Sequence, residues 1–545
     1  MKKTIIIIIV FYAALSFFIC SYLYEDAFIF FRVAECICNG FGCVFNPGER
    51  IEVCSSFSWL MLLTLFRSLG ANILITSKIL GIFFGCCSLF LIYKITTLFT
   101  ARTSQQVLPP LLTAISLPFL MWNQMGCETA LCTLVFLSLI FVCLDRQTFV
   151  YWPVILIILI VTRPEGLFMF LGIVPAFFLY RGRTRRVLYS TALFAILYLT
   201  ILAARFVYFA DLVPSAFYVK IYSGKYLEGL IYVHNYFSDY YMYYFCILLL
   251  FFVWRKHNWQ EKRCILFGFI IVYLSWVILG GAEPKIYYRH VIPLIPLVYI
   301  YTATGLEYGF GDFTTGKKWM VNFSMIAFGC VSLLLPQTRW IDKTVENPVI
   351  LSAKRLAYDP DEYLRFCLER VKNPAAYNYI DSNTQLVIGD FIRRNYFSGT
   401  TILYDQMGQT PYQAGIDYFF IDSWGLTDKK IGKYYFHERN KESYILRMYE
   451  NLSTRLIKRV FPQTTFIHSR QEMLDYVFER RPDVIMMVSA LGSFEDFLPN
   501  WLPGESRFKD QYRRKFLICG TLIYEQEGLI KKPLDIPKEL SVTYR

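Results

Sequence analysis

The first 336 residues consist of long apolar runs separated by short polar segments, whereas apolar runs in residues 337–545 are short. Eleven runs are long enough, or nearly long enough, to cross a membrane as α-helices. They fall at residues 4–23, 72–93, 107–122, 129–144, 148–162, 166–180, 187–207, 237–254, 264–280, 291–309 and 319–335. The pattern predicts a polytopic α-helical membrane domain over residues 1–336 and a soluble domain over residues 337–545.

Within the second domain, short apolar and periodic segments predict a mixture of strands and helices, and hence an α/β or α+β fold. The predicted strands are residues 385–389, 400–404 and 483–488, and the predicted helices are residues 443–459 and 471–480. The aromatic stretch Tyr418–Trp424 is also strand-like, and we expect it to face the membrane domain.

Composition separates the same two parts. Apolar residues make up 55% of the chain and charged residues 18%, which excludes a single soluble globule because one core could not bury that much apolar surface. Residues 1–336 carry 25 Lys and Arg against 15 Asp and Glu, and residues 337–545 carry 30 against 27. Most of the net charge of +13 therefore lies in loops between apolar runs, which indicates membrane orientation and not nucleic-acid binding.

Eleven spans place the two ends of the chain on opposite sides of the membrane. One set of alternating loops holds fifteen basic residues and the other set holds seven. Because basic loops stay in the cytoplasm, we expect a cytoplasmic N-terminus and an external C-terminal domain, in the inner membrane of a bacterium. The short apolar stretch Ser58–Leu69 contains Arg67 and is predicted to be an interfacial helix within a re-entrant first external loop, residues 24–71.

The external loops hold most carboxylates of the membrane half, and Glu25-Asp26 directly follows the first span. Two adjacent acids at a membrane boundary have to be solvated or paired. They could simply end the helix at the headgroup level, or one could be a general base or metal ligand that faces a water-filled cavity. Adjacent residues on a helix point about 100° apart, so only one of the two is expected to face a substrate.

Two further segments place charge next to apolar runs. Thr162–Gly166 sets Arg163 and Glu165 between two spans with almost no loop to expose them, so they form a structural ion pair or face a cavity. Gly280-Gly281 leads to Arg289 at the start of another span. An arginine there suits a phosphate, although a snorkelling anchor remains the alternative.

Several of these motifs, taken in order, resemble a family of bacterial integral-membrane glycosyltransferases of the GT-C type. The likeness is strongest to the terminal β-(1→2)-arabinofuranosyltransferase family and its uncharacterised relatives. The segments that carry it are Tyr24–Arg32, Asn39–Gly42, Phe45–Glu52, Gly126–Thr129, Arg163–Gly166, Asp211–Lys220, Gly280-Gly281 through Arg289 to Pro293, and Asp422–Asp428. Together they span roughly 400 residues.

The resemblance implies an inverting transfer of a sugar from a polyprenyl-phosphate donor to a cell-envelope glycan or lipid, at the external membrane face. It implies that Asp26, beside Glu25, is the general base. It assigns Arg289, Lys220 and Arg163 to the donor phosphate. The remaining residues that it places in the cavity or near the substrate are Arg32, Glu49, Glu52, Glu128, Glu165 and Asp211.

The sequence leaves several points open. Glu25 stands where the family commonly has Asp, and Val53-Cys54-Ser55 replaces a common Gly-Tyr-Thr. No cofactor is certain and a divalent cation is possible; Cys36, Cys38, Cys43 and Cys54 permit a disulfide or, without a nearby histidine, a poor zinc site. The sugar, acceptor and linkage are not determined. A transporter of lipid-linked glycans and a non-catalytic envelope-assembly scaffold remain alternative functions.

Overall fold

The computed structural model describes residues 2–19, 23–179, 184–222, 224–254, 261–281, 287–309, 315–334, 382–488, 497–535 and 543–544. The predicted domain boundary at residue 336 lies outside these residues. The described part is mostly helical in its first half and contains one β-sheet in its second half.

Helices occupy all eleven predicted apolar runs. In the first half the helices are α1 Lys2–Ile19, α2 Glu25–Cys38, α3 Phe57–Ser68, α4 Ile73–Thr97, α5 Thr103–Ala114, α6 Leu117–Trp122, α7 Thr129–Leu144, α8 Trp152–Thr162, α9 Met169–Leu179, α10 Thr184–Phe209, α11 Ser215–Lys220, α12 Lys225–Asp239, α13 Met242–Trp254, α14 Glu261–Gly280, α15 Leu294–Gly309 and α16 Thr315–Leu334. Short 3₁₀ segments lie at Phe149–Tyr151, Pro164–Phe168 and Arg289–Val291. Among the described residues, three helices are by themselves long and apolar enough to cross a membrane: Ile73–Thr97, Val187–Phe209 and Glu261–Gly280.

The segment predicted as the first external loop, residues 24–71, contains more helix than its sequence predicts. The helix predicted at residues 58–69 is present as α3, and α2 occupies a further part of the predicted loop. Helix α2 buries Ala27, Phe28 and Phe31 on one side and Phe30 and Val33 on another. The helix is shorter than a membrane span, so a search for long apolar runs does not detect it.

The second half is an α/β domain. Its helices are α17 Ser382–Asn395, α18 Gln409–Ala414, α19 Lys429–Arg439, α20 Tyr444–Val460, α21 Arg470–Glu479, α22 Leu498–Trp501 and α23 Ser506–Gln511, and a 3₁₀ turn spans Leu502–Gly504. Its strands are β1 Thr401–Tyr404, β2 Phe419–Asp422, β3 Val484–Val488, β4 Tyr512–Ile518, β5 Thr521–Gln526 and β6 Thr543–Tyr544. They form a mixed sheet in the order β2-β1-β3-β5-β4-β6, in which β1 is parallel to β2 and β3 and the other pairs are antiparallel.

Most secondary-structure predictions for this domain are confirmed, and one is wrong. Strands β1 and β3 and helices α20 and α21 lie within a residue or two of their predicted ranges. Residues 385–389, predicted as a strand, belong to helix α17. The buried positions Ile388, Phe391, Ile392 and Asn395 show the helical spacing, which continues beyond the five-residue window on which the prediction rested.

The two halves meet along α2 and the loop after it. Arg32 is fully buried, and its guanidinium donates to the carbonyl oxygens of Pro411 at 2.6 Å, Gly415 at 2.8 Å and Tyr418 at 2.7 Å. Asn46 pairs with the backbone of Phe420 in β2 in both directions, at 2.8 and 3.1 Å. The expected contact of Tyr418–Trp424 with the membrane domain is therefore present.

Candidate active site

A cavity of about 420 Å³ lies between the start of α2, the α8–α9 junction, α10, α11 and the end of α14. Its wall is largely apolar, with aromatic side chains including Phe30, Tyr198 and Trp276. The charged side chains that line it are Asp26, Arg163, Glu165, Arg205, Lys220, Lys225 and Arg289. With five cationic groups against two carboxylates, the wall of the cavity favours an anionic ligand.

The adjacent acids Glu25 and Asp26 point to different places, as the geometry of a helix requires. Asp26 lines the cavity, and its Oδ2 lies 3.1 Å from Nη1 of Arg289. Glu25 faces the soluble domain instead. The amide of Gln406, with its nitrogen turned toward Glu25, lies 3.1 and 3.2 Å from the two carboxylate oxygens. Gly408 leaves room for this contact, because a Cβ there would lie 2.3 Å from Cγ of Glu25.

Behind the cavity wall, one buried carboxylate joins two arginines. Oε1 of Glu128 accepts from Nη1 of Arg163 and from Nη2 of Arg289, each at 2.5 Å. Arg163 also pairs with Glu165 and contacts Nδ1 of His290 at 3.3 Å. Burial by itself would raise the pKa of Glu128, but the guanidiniums of Arg289 and Arg163 outweigh it and hold that pKa below its usual value. The network fixes both arginines at the cavity.

The backbone before Arg289 has an unusual conformation. Tyr287 and Tyr288 adopt positive φ angles of 58° and 50°, which cost energy for residues with a side chain. Tyr288 donates to buried Asp239, and the guanidinium of Arg289 lies over Trp122 at 5.1 Å. These contacts hold the turn in this conformation, so the side chain of Arg289 points into the cavity in one orientation.

Lys220 and Lys225 also line the cavity. Lys220 ends α11, and Nζ of Lys225 donates to its carbonyl oxygen. Gly281, in the left-handed region at φ 57°, packs on Lys225, since a Cβ there would lie 1.9 Å from Cγ of that lysine. Because Gly281 has no side chain, Lys225 can pack directly against its backbone.

Besides Glu128, four of the six predicted cavity residues do not line the cavity. Arg32 binds carbonyl oxygens of the soluble domain, and Glu49 pairs with Arg480 of α21. Asp211 pairs with Lys429 at 3.0 Å and Lys433 at 2.9 Å. These three residues join the first half of the chain to the α/β domain. Such a contact needs buried ion pairs and hydrogen bonds as much as a substrate site does.

Glu52, the fourth, lies behind the wall. Its Oε2 is 2.8 Å from Nε of Arg205, which does line the cavity. Burial raises the pKa of Glu52 to about 7, although Arg205 opposes the rise.

Sequence reasoning missed Arg205, Lys225 and His290. Arg205 had a usable signal, since it is a charge inside the apolar run 187–207, and such charges usually face a cavity. Lys225 and His290 had no such signal in the sequence. Their positions at the cavity depend on how α12 and the turn at Arg289 pack on α14.

Metal and disulfide predictions find no support in the described residues. Cys36, Cys38, Cys43 and Cys54 are present as thiols there. Within the same ranges, no group of three or more His, Cys, Asp or Glu side chains is arranged to hold a metal ion.

Comparisons with known proteins agree with this architecture. A family model described as a domain of unknown function (DUF8728) matches residues 376–522, within the soluble domain. No curated protein sequence matches the chain. The chain is similar to the crystal structure of ArnT from Cupriavidus metallidurans bound to undecaprenyl phosphate, with 12% identity and a TM-score of 0.55 over 97% of this chain and 99% of that one. A second match, to the Archaeoglobus fulgidus oligosaccharyltransferase in complex with zinc and sulfate, has 10% identity and a TM-score of 0.46 over 98% of this chain and 74% of that one.

The likeness to ArnT shows the fold. The chain has a multi-helix domain with helices able to cross a membrane, followed by an α/β domain, as the sequence predicted.

Proposed function

We propose that the protein is an inverting glycosyltransferase that moves a sugar from a polyprenyl-phosphate donor to a cell-envelope glycan or lipid. The observation that carries this proposal is the placement of Asp26 on the cavity wall, within 3.1 Å of Arg289 and among cationic side chains. A carboxylate beside a site for an anion is what transfer from a sugar phosphate needs. The undecaprenyl phosphate bound to ArnT supports a polyprenyl carrier for the fold.

In the proposed reaction Asp26 takes the proton of the acceptor hydroxyl as its oxygen attacks the anomeric carbon. The bond between that carbon and the phosphate oxygen breaks, and the electron pair leaves with the polyprenyl phosphate. Attack from the opposite face inverts the anomeric centre.

The leaving phosphate gains charge as the bond breaks, so cations that are already in place lower the barrier. Arg289 is the first candidate, because Glu128 holds its guanidinium and Trp122 lies against it. Lys220 lines the same cavity and is the second candidate for the phosphate. Arg163 and Glu165 keep the cavity wall in place.

The apolar part of the wall suits the carrier lipid. Ile29, Phe30, Leu202 and Phe217 line the cavity, and Leu199, near Leu202 on α10, is 63% exposed. In a membrane that exposed face would meet acyl chains, so a prenyl chain could enter beside α10.

The test starts with the envelope glycans. Mass spectrometry of cells with and without the gene identifies the sugar that is lost and its acceptor. The purified protein is then assayed in vesicles with that sugar on polyprenyl phosphate. We expect Asp26→Asn to reduce transfer about 10²–10⁴-fold, the usual contribution of a general base. Glu35→Gln, on the same helix but paired with Arg67, is the matched control.

Two results would count against the proposal. Transfer at the wild-type rate by a folded Asp26→Asn protein excludes Asp26 as the base. Envelope glycans that do not change when the gene is deleted leave the transporter or scaffold functions as better explanations.

A further inference from the structure

Helix α20 of the soluble domain carries an exposed apolar stripe along its whole length. Ile445, Met448, Leu452, Leu456 and Val460 recur every three or four residues and are between 41 and 72% exposed. This spacing places all five side chains on one face of the helix. A soluble domain rarely exposes so long an apolar strip unless something covers it.

Helix α20 is firmly packed on the rest of the protein through the face next to the stripe. Ser453 and Ile457 are buried, and the Tyr449 ring lies 5.3 Å from that of Phe217. Oε1 of Glu450 lies 3.0 Å from Nδ1 of His437 on α19, within hydrogen-bond distance. These contacts fix the rotation of α20, so the stripe points outward.

The end of α20 lies against the membrane domain. The ring of Phe461, the residue after α20, is 5.5 Å from that of Phe206 near the end of α10. The neighbour Val207 is 73% exposed on a helix apolar enough to cross a membrane. The preceding helix is anchored as well, since Arg439 donates to the carbonyl of Val219 at 3.0 Å. The C-terminal end of the stripe therefore lies next to the end of a helix whose side faces lipid.

The charged side chains that α20 itself exposes beside the stripe are all basic. Arg447, Arg455, Lys458 and Arg459 are exposed, whereas Glu450, the only acid in the helix sequence, faces His437. A groove of about 550 Å³ on this surface is lined by both kinds of side chain, among them Arg447, Met448, Leu452 and Arg455, with Glu442 at its N-terminal end. An apolar strip flanked by cations matches acyl chains beside anionic headgroups.

We propose that α20 lies in the plane of the membrane surface, with its apolar stripe among the acyl chains and its basic side chains on anionic lipid headgroups. The soluble domain is then held to the bilayer at a second place, in addition to its contacts with α2 and with the loop after α10. This inference does not depend on the transfer reaction.

The test uses the full-length protein in vesicles with a photoreactive benzoylphenylalanine in place of Leu452. The control carries the same group in place of Ile530, an apolar residue that is 81% exposed elsewhere in the soluble domain. After illumination, mass spectrometry identifies what each position has captured. In vesicles that contain phosphatidylglycerol, we expect lipid adducts at position 452 at least about fivefold above position 530.

The basic side chains are tested separately with Arg455→Gln/Arg459→Gln in the same background. Each basic residue near an anionic surface strengthens association about fivefold, so the lipid adduct should fall toward the level in vesicles of phosphatidylcholine alone. An unchanged adduct would show that headgroup charge is not recognised. Adducts with a second copy or another protein in place of lipid, or none above the control, would overturn the membrane contact itself.

Discussion

Glu128 is the residue through which the cavity arginines are held. It is fully buried and shares one oxygen between Arg163 and Arg289. Removing one partner of a buried charge network leaves the others uncompensated. The orientation of Arg289 toward the cavity thus depends on a side chain that does not line the cavity.

We therefore expect Glu128→Gln to destabilise the protein by about 3 kcal/mol. Thermal unfolding in detergent measures this. The control is Arg146→Gln, which breaks an ion pair with Glu261 at 3.4 Å whose side chains are both 62% exposed; such pairs contribute less than about 1 kcal/mol. Equal effects of the two substitutions would mean that the buried network is not structurally important.

Asp405 gives the soluble domain a pH dependence. It follows β1 and is almost fully buried. Burial raises its pKa to about 7, and the nearby carboxylates of Asp422 and Glu25 add to the rise. An unfolded chain releases this proton near pH 4. The folded state keeps it until about pH 7, so stability is lost as the pH rises through that interval.

We expect Asp405→Asn to remove this loss. The unfolding free energy of the variant should match that of the wild type near pH 4 and exceed it increasingly up to pH 8, by at most about 4 kcal/mol. Thermal unfolding at each pH measures this difference. Asp510→Asn, at an exposed position, is the matched control. A variant that is less stable than the wild type at pH 8 would show that the charged carboxylate stabilises the fold.

At the scale of elements, α2 connects the two halves. Its first turn brings Asp26 to the cavity and Glu25 to the soluble domain, and Arg32 two turns later binds three carbonyl oxygens of that domain and that of Phe45 at 3.0 Å. The planar fork of a guanidinium is needed for this set of bonds. Positioning of the candidate base and docking of the soluble domain are thus properties of one helix.

Arg32→Lys should loosen this docking, because an ammonium cannot reach the four acceptors together. We expect a loss of about 3 kcal/mol and faster cleavage within residues 396–418 by chymotrypsin, which cuts after the aromatic residues of this segment. Mass spectrometry of the fragments measures the cleavage. Arg67→Lys on α3, whose pair with Glu35 is partly exposed, should leave the cleavage rate unchanged. Equal cleavage of the two variants would contradict the docking role.

At the scale of the whole molecule, the cavity lies between membrane helices and is closed on one side by the loop that the soluble domain holds. Leu426 of that domain lines the cavity, and its carbonyl accepts from Ser215 of α11. An acceptor would have to enter past this contact. The arrangement agrees with a site on the side of the membrane that carries the soluble domain.

The distribution of basic loops predicts that this side is external. Alkaline phosphatase, which is active only after export, should therefore be active when fused after Arg545 and inactive when fused within residues 181–186. Antibody access to a C-terminal tag on intact spheroplasts provides an independent measurement. The opposite pattern would place Asp26 on the cytoplasmic side and exclude an external donor.

The amino-acid sequence was sufficient to predict the helices and the class of fold. Apolar runs of membrane length have few alternatives in lipid, where every backbone group has to be paired within a helix. Helices accordingly occupy all the predicted runs. The strands β1 and β3 were also local enough to predict, whereas residues 385–389 were not, because five apolar positions fit either structure.

Which charged residues share the cavity depends on how distant segments pack. In sequence, Glu49, Asp211 and Arg32 look as much like site residues as Arg163 and Arg289 do. The structure turns the first three toward the soluble domain and joins the other two through Glu128. A buried charge needs a partner whether it serves a substrate or a domain contact, so residue type cannot separate the two roles. The partners come from segments up to several hundred residues apart, and their packing alone makes the distinction.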